Sequence, residues 1–416
     1  MHANIRSTLL AAALTAAASP TFANVITDWD EKAVAVVTPM SSLGGTSPYT
    51  AVRMMGMVHA AMFDAVNSIE RRYRPYLVQL SADPGTSKEA AAAAAAATIL
   101  STVDTKTAGE MKTTLAAYLA QLPDGVAKSD GITLGETVAA KVIEARTNDG
   151  CDAPDAYRPR TTPGVYVPTA ITLSSMWPDM KPFTIAQGSQ FRPKPPVALD
   201  SKEWATDFNE IKDYGGKIST KRTAQQTETA LFWTSPLLAY QPMVRQLVTA
   251  KQMGVVDSAR FMALETFALN DAIIAVLDAK YHYNFWRPIT AIRNGDIDGN
   301  PVTDREATWQ PVATTPMHPE YPCSHCIQSG SVAAVVKAVL GGVDIPEVAL
   351  TSPATPGVTH RWTNLAAFTE EVASARIWAG FHYRFSTRVG TDMGLLIGDY
   401  VVKNVMQPIV TSSSSR

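Results

Sequence analysis

The sequence predicts an all-α protein, and three features of the chain indicate this fold class. Between Ala51 and Ile69, apolar residues recur close to the 3.6-residue period of an amphipathic helix. The stretch from Ser87 to Val103 is rich in alanine, the residue with the highest helix propensity. Similar helical segments follow through most of the chain, with neither a repeat of fixed period nor a low-complexity linker between them. We therefore expect one large helical domain, spanning residues 24–416.

The predicted helices are separated by recognisable stop signals. Asn148-Asp149-Gly150 ends one of them, and Gly341-Gly342 ends another, because glycine and asparagine tolerate the backbone conformations that terminate a helix. The predicted helical segments are 51–69, 87–103, 106–122, 131–146, 201–213, 223–233, 242–253, 257–280, 324–340, 364–378 and 387–405. A polar, serine-rich tail follows the last of these.

One long segment of the chain lacks a helical pattern. Nine prolines recur between Cys151 and Pro196, which excludes long helices there. Its aromatic residues argue against disorder, so we expect an irregular excursion packed over the helical core. A second loop, from about Asn294 to Pro322, leads into the helix that starts near Ser324.

Charge and hydropathy exclude two classes of partner. The formal net charge is −2, so the chain has no overall basic field that would hold nucleic acid or an acidic membrane. No segment after the N-terminus has the eighteen or so uncharged apolar residues that a membrane-spanning helix needs. The run Ala90–Ala97 comes closest, but charged residues flank it and it is too short.

Residues 1–23 resemble a secretory signal peptide. His2 and Arg6 precede an apolar stretch from Leu9 to Ala18, and Thr21-Phe22-Ala23 offers a small-x-small cleavage site. We therefore expect an exported protein, periplasmic or secreted, whose mature chain begins near Asn24. An N-terminal helix that stays attached would give a similar pattern.

Three short motifs between residues 280 and 382 carry the candidate chemistry. The first runs from Lys280 through Arg287 to Pro288. A spacing of seven predicts that both cations lie on nearly the same helical face, two turns apart, where they can grip a small anion. Two solvated surface cations would give the same pattern.

The second motif, Pro322-Cys323-Ser324-His325-Cys326, lies where a loop becomes a helix. Ser324 is the expected N-cap, and the first helical amides are anion donors. His325 is a candidate general acid or base. With Cys151 the chain has three cysteines, too few for a disulfide scaffold, and whether Cys323 pairs with Cys326 stays open.

The third motif contains Arg376, Gly380 and His382. Residues six apart do not share a face of a regular helix. Either the helix breaks near Gly380, or the two side chains reach one site from different directions. Taken alone, a histidine in this aromatic setting would more often be a core residue than a ligand.

In this order the three motifs resemble those of the vanadium-dependent haloperoxidases and the related acid phosphatases of the type 2 phosphatidic acid phosphatase superfamily. The family pattern is Lys-x6-Arg-Pro, Pro-Ser-Gly-His and Ser-Arg-x3-Gly-x-His. The first motif fits completely. In the second, Cys323 stands in place of serine and Ser324 in place of glycine. In the third, Ala375 stands in place of serine, with Ser374 one position earlier.

The resemblance implies two four-helix bundles merged into one helical domain. It also implies roles for individual residues around a vanadate cofactor, or around phosphate in a phosphatase. Lys280, Arg287 and Arg376 would neutralise the oxyanion, and the Ser324 amide would add a donor. His382 would bond the central atom, permanently to vanadium or transiently as phosphohistidine, and His325 would act as acid or base on the opposite side.

Two further residues bear on the choice between these activities. The algal bromoperoxidases have histidine at the position of His318, where the fungal chloroperoxidase has phenylalanine, which favours bromide or iodide. A free Cys323 thiol would argue against a peroxidase, because peroxide would oxidise it. Pairing with Cys326 would remove that objection.

The first hypothesis is therefore a haloperoxidase that acts on hydrogen peroxide and halide. The alternatives are an exported acid phosphatase acting on phosphate esters and a non-catalytic oxyanion-binding protein. A thiol-redox protein built on Cys323 and Cys326 is a fourth hypothesis, which the absence of a thioredoxin-like βαβ pattern makes the weakest. Oligomeric state and physiological substrate are not encoded in any motif.

Overall fold

More than half of the described residues fold into α-helices, which confirms the predicted fold class. The structure, a computed structural model, describes residues 24–42, 47–168, 170–234 and 240–409. The predicted signal peptide, residues 1–23, lies outside the described residues. None of the helices in the described ranges is long and apolar enough to cross a membrane.

The described residues up to 250 form eight α-helices. They are α1 (Val25–Val37), α2 (Tyr49–Glu70), α3 (Lys88–Leu100), α4 (Thr105–Leu119), α5 (Val126–Arg146), α6 (Lys202–Gly215), α7 (Ala224–Phe232) and α8 (Tyr240–Ala250). Between α5 and α6 the described residues of the proline-rich excursion form two short 3₁₀ turns, Trp177–Asp179 and Gly188–Phe191, and no α-helix. The expected irregular segment is therefore confirmed.

The described residues from 251 to 409 form five more α-helices and a small antiparallel hairpin. These elements are α9 (Val255–Tyr283), α10 (Pro288–Ile292), α11 (Ser324–Leu340), β1 (Asp344–Thr351), β2 (Thr359–Asn364), α12 (Leu365–Trp378) and α13 (Arg384–Asn404). The helices α1 and α10 and the hairpin were not predicted. The hairpin register includes Val348 opposite Trp362, both buried, so tertiary packing supports two short strands.

Helix α9 packs against two groups of helices, the two bundles of the fold. It packs against α2 on one side, where α2, α3 and α5 contact one another, and against α11 and α13 on the other, where α12 completes the group. From Ala263 to Leu277 every residue of α9 is buried, including polar ones. A helix buried all round belongs inside the protein, and α9 therefore joins the two bundles.

Glycines in α13 allow it to approach α11 closely. Gly390, Gly394 and Gly398 are four residues apart and therefore share one helical face. A Cβ atom on Gly394 would lie 2.1 Å from the Ile327 carbonyl oxygen. One on Gly390 would lie 2.6 Å from the Cys323 carbonyl oxygen, at the start of α11. This packing fixes the end of α11 that carries the second motif.

A buried polar cluster lies among α1, α2, α8 and α9. His59 Nε2 lies 2.9 Å from Asp30 Oδ1, and Arg245 forms an ion pair with the same carboxylate. Gln241 Nε2 donates to Glu265 Oε2 at 2.9 Å. Burial, with a smaller contribution from Asp30, raises the pKa of Glu265 to about 8. Glu265 is therefore mainly protonated at neutral pH.

Replacing Gly394 with alanine should destabilise the fold by about 1–3 kcal/mol, because the added methyl group has no space against the α11 backbone. Gly109 is the matched control, since a Cβ there meets nothing within 4 Å. Gly109→Ala should stabilise by about 0.5–1 kcal/mol through helix propensity. Urea denaturation measures both changes, and equal stabilities of the two variants would contradict the packing argument.

The free energy of unfolding should fall as pH rises from about 4.5 to about 8, because folded Glu265 keeps a proton that the unfolded chain releases. Glu265→Gln should remove a few kcal/mol of this dependence. Urea denaturation at about pH 5 and about pH 9 measures the difference, with Glu110→Gln on exposed α4 as control. An unchanged pH slope in Glu265→Gln would show that the residue is ionised in both states.

Candidate active site

The first motif brings both cations to one site, but not on one helical face as predicted. Helix α9 ends at Tyr283, and Asn284 adopts the left-handed conformation with φ 52°. Lys280 lies in the last turn of α9, whereas Arg287 is the N-cap of α10 and Pro288 its first residue. The shared-face prediction was wrong because the helix stops before Arg287. The reversal at Asn284 redirects the chain instead.

Both cations bind the segment that leads into α11. Lys280 Nζ donates to the carbonyl oxygens of Pro319 at 3.0 Å and Glu320 at 2.6 Å. Arg287 Nε donates to the His318 carbonyl at 2.9 Å. These bonds fix residues 318–320 between the two motifs. An ammonium group has three donors, so Lys280 keeps one for an anion.

The second motif begins α11, with Cys323 rather than Ser324 as the N-cap. Cys323 Sγ accepts a hydrogen bond from the Cys326 amide at 3.2 Å, so Ser324 becomes the first helical residue and the N-cap prediction was wrong. Cys323 and Cys326 form a disulfide, and both are fully buried. Gln328 Nε2 donates to Ser324 Oγ at 3.2 Å. Burial raises the pKa of Tyr49, and the nearby Ser324 side chain opposes this rise, so Tyr49 also lies near the start of α11.

The third motif contains the break considered for Gly380. Helix α12 ends at Trp378, and Gly380 has a φ of 80°, a left-handed conformation that favours glycine. Arg376 lies in the last turn of α12 and donates from Nη1 to the Trp233 carbonyl. Its Nε is buried without a hydrogen-bond partner. This donor can serve an anion.

Hydrogen bonds determine the tautomer of His382. Arg287 Nη1 lies 3.3 Å from His382 Nε2, and because a guanidinium only donates, Nε2 accepts. Nδ1 therefore carries the proton and donates to Glu320 Oε1 at 2.8 Å. The Nε2 lone pair consequently faces the cations. It is available to an electrophilic atom that displaces the Arg287 contact.

The buried groups of the site carry more positive than negative charge. Lys280, Arg287 and Arg376 are each nearly inaccessible to solvent. Burial lowers the pKa of Lys280 well below its ordinary value and that of Arg376 to about 9, with Arg287 adding to both effects. Glu320 counteracts the lowering at Lys280 and Arg287. No carboxylate contacts Arg376 within the part of the chain that the structure describes. An added anion would relieve this imbalance.

The two other histidines lie close to this charge. His318 is buried, its Nδ1 lies 3.1 Å from Arg287 Nη2, and burial together with Lys280 lowers its pKa well below the ordinary value. His325 is half-buried in the first turn of α11. Its charge contributes to the depressed pKa of His318, so His325 also lies near the site.

Sequence reasoning missed two residues of the site. Glu320 is fully buried, and burial raises its pKa to about 7 against the opposing effect of Lys280 and Arg287. Its local signal in the sequence is an acidic residue five positions before His325, in the loop that leads into the second motif. Tyr49, at the start of α2, comes from more than two hundred residues away in sequence, and no local pattern marks it.

Three comparisons with known proteins agree with this architecture. Residues 260–411 match the family described as the VCPO second helical-bundle domain. The vanadium chloroperoxidase of Curvularia inaequalis is 30% identical over 151 residues, which is 30% of this chain and 24% of the relative. The chain thus matches only about a quarter of that protein's length.

Solved structures show the same fold over most of the chain. A bacterial vanadium-dependent iodoperoxidase superposes with a TM-score of 0.78 at 21% identity, covering 92% of this chain and 98% of the other. An apo-type bacterial vanadium-dependent chloroperoxidase gives 0.71 at 16% identity, covering 87% and 94%. This chain therefore has the vanadium haloperoxidase fold, and the resemblance seen in its motifs is confirmed.

Replacing Glu320 with glutamine should weaken binding of orthovanadate about tenfold, because a neutral amide holds the His382 tautomer less firmly than a carboxylate. Equilibrium dialysis of the purified protein measures the affinity. Glu347→Gln, on exposed β1, is the matched control and should leave it unchanged. Equal affinities of the Glu320→Gln variant and the wild type would show that this contact does not orient His382.

Proposed function

We propose that this chain is a vanadium-dependent haloperoxidase that oxidises halide ions with hydrogen peroxide. The observation that carries the proposal is the convergence of three buried cations on the neutral imidazole of His382. Such charges interact much more strongly in a dry pocket than on a surface. They suit a compact, highly charged oxyanion better than a neutral substrate.

The residues present fit vanadate. Lys280, Arg287 and Arg376 would hold its oxygen atoms, and the unpartnered Nε of Arg376 supports this assignment. The Ser324 amide, the first of α11, would add a donor. His382 Nε2 would bond vanadium. When bound, vanadate supplies the Lewis-acid chemistry that activates peroxide for a two-electron oxidation.

The remaining residues would hold and move protons. Glu320 accepts a hydrogen bond from the Nδ1–H of His382, which would keep the Nε2 lone pair directed at the oxyanion. His325, at the start of α11, would take a proton from hydrogen peroxide and return it to the departing water. Lys280 and Arg287 would stabilise the negative charge that develops on oxygen.

The disulfide removes the objection that a free Cys323 thiol would raise against a peroxidase. With Cys323 bonded to Cys326, neither sulfur is a thiolate that peroxide would oxidise. A disulfide is also typical of an exported protein, which agrees with the predicted signal peptide and with a periplasmic or secreted location. His318, beside Arg287, favours bromide or iodide as the halide.

The second candidate is an acid phosphatase, and the His382 tautomer is the observation that favours it. A neutral imidazole with a directed Nε2 lone pair is also a nucleophile for phosphorus. The same three cations would hold a transferring phosphoryl group, and His325 would protonate the leaving alcohol.

Loading the purified protein with orthovanadate should produce bromination of a phenol dye from bromide and hydrogen peroxide, with no hydrolysis of p-nitrophenyl phosphate. The vanadate-free protein, assayed in parallel for both reactions, is the reference. Hydrolysis of p-nitrophenyl phosphate without bromination would overturn the haloperoxidase in favour of the phosphatase.

Three histidine variants should separate binding from chemistry. His382→Ala should lose both vanadate binding and bromination. His325→Ala should keep binding but lower bromination by about 10²–10⁴-fold, as expected for a general acid or base. His282→Ala, at an exposed position near the end of α9, is the control. Full bromination by His325→Ala would exclude the assigned proton transfer.

A further inference from the structure

A cavity of about 360 Å³ lies against Arg287, outside the group of residues assigned to the oxyanion. Three separate parts of the chain form it. Tyr166 comes from the proline-rich excursion, Ile289 from α10, and Met317 from the segment before His318. The volume lies within the range of small-molecule sites, which are mainly apolar with a few placed polar groups.

The polar groups of this cavity favour an anionic ligand. Arg293 lines the cavity and uses Nε to donate to the Trp309 carbonyl at 2.8 Å. It forms no ion pair with any residue in the described ranges, so its terminal nitrogens are available to a carboxylate. Thr315 Oγ1, also in the lining residues, is buried without a hydrogen-bond partner.

The cavity and the oxyanion site share Arg287. Arg287 is one of the residues that line the cavity, and its Nη1 lies 3.3 Å from His382 Nε2. A molecule in the cavity would therefore lie beside the centre at which the proposed oxidation takes place. Tyr166 provides an aromatic face, and Ile289 and Met317 provide apolar surface for a ring.

We propose that this cavity binds the organic acceptor of the halogen, a small electron-rich aromatic molecule that carries a carboxylate. The carboxylate binds Arg293, and the ring packs against Tyr166, Ile289 and Met317. The inference rests on the proposed haloperoxidase function and names its substrate class. It also gives Tyr166, in the proline-rich excursion, a role in substrate binding.

The reaction balances with reagents that the proposed function already supplies. Hydrogen peroxide takes two electrons from the halide ion and one proton, which gives hypohalous acid and water. Hypohalous acid then transfers its halogen to a ring carbon. The ring proton leaves with the hydroxide as a second water.

Two acceptors that differ only in charge test the proposal. 3-(4-Hydroxyphenyl)propanoate carries a carboxylate, whereas 3-(4-hydroxyphenyl)propanamide is neutral, and two methylene groups separate either substituent from the ring. Wild-type kcat/KM for bromination should favour the carboxylate about tenfold, which corresponds to about 1.4 kcal/mol. Arg293→Gln should reduce the ratio to about one. Arg361→Gln, which removes a surface arginine paired with Glu347, should keep the wild-type ratio.

Isothermal titration calorimetry of the vanadate-free protein gives a readout that does not depend on turnover. The wild type should bind 3-(4-hydroxyphenyl)propanoate, and Arg293→Gln should bind it about tenfold more weakly. Ile289→Trp fills the cavity without removing a charge, so it should weaken binding of both acceptors. This second variant keeps the test decisive if Arg293→Gln does not fold.

Triiodide formation from iodide and peroxide reports the oxidation step without any organic acceptor. Suppose that triiodide forms, but that the wild type brominates the carboxylate and the amide with equal kcat/KM and binds neither in calorimetry. The acceptor site is then overturned and the proposed function stands. If no triiodide forms, the proposed function fails. Calorimetry then decides separately whether the cavity binds the carboxylate.

Discussion

Burial of Lys280, Arg287 and Arg376 around one imidazole is the constraint on which the rest of the site depends. Removing a cation from water costs free energy unless donors and opposite charge compensate it. Here backbone carbonyls compensate in part, through bonds from Lys280 to residues 319 and 320 and from Arg287 to residue 318. Among the carboxylates of the described residues, Glu320 is the one that raises the pKa of both cations. An anion at the proposed oxyanion site would therefore offset positive charge that the protein itself balances only in part.

Helix packing holds this charge in place. Helix α9, buried between the two bundles, presents Lys280 from its last turn. Helix α11 starts beside the same point because the glycine face of α13 lets the two helices approach closely. Close packing of this kind positions backbone atoms more firmly than flexible side chains would. The disulfide adds a covalent link within the first turn of α11.

The two faces of Arg287 connect chemistry with recognition. Its Nη1 contacts His382, while its side chain also lines the cavity formed with Tyr166 and Ile289. One buried residue, Arg287, thus belongs both to the proposed oxyanion site and to the lining of a cavity whose volume suits a small molecule. Because α10 begins at Pro288, directly after Arg287, the fold couples the geometry of the cavity to that of the oxyanion site.

The sequence by itself determined the helical class, most helix positions and the three motifs that carry the candidate site. Local signals suffice for these, since alanine content, apolar period and Gly341-Gly342 act within a few residues. Only the tertiary structure decided how the motifs meet. Asn284 ends α9 before Arg287, Cys323 replaces Ser324 as N-cap, and Glu320 binds His382 across 62 residues. These outcomes depend on contacts between distant parts of the chain, which no local pattern specifies.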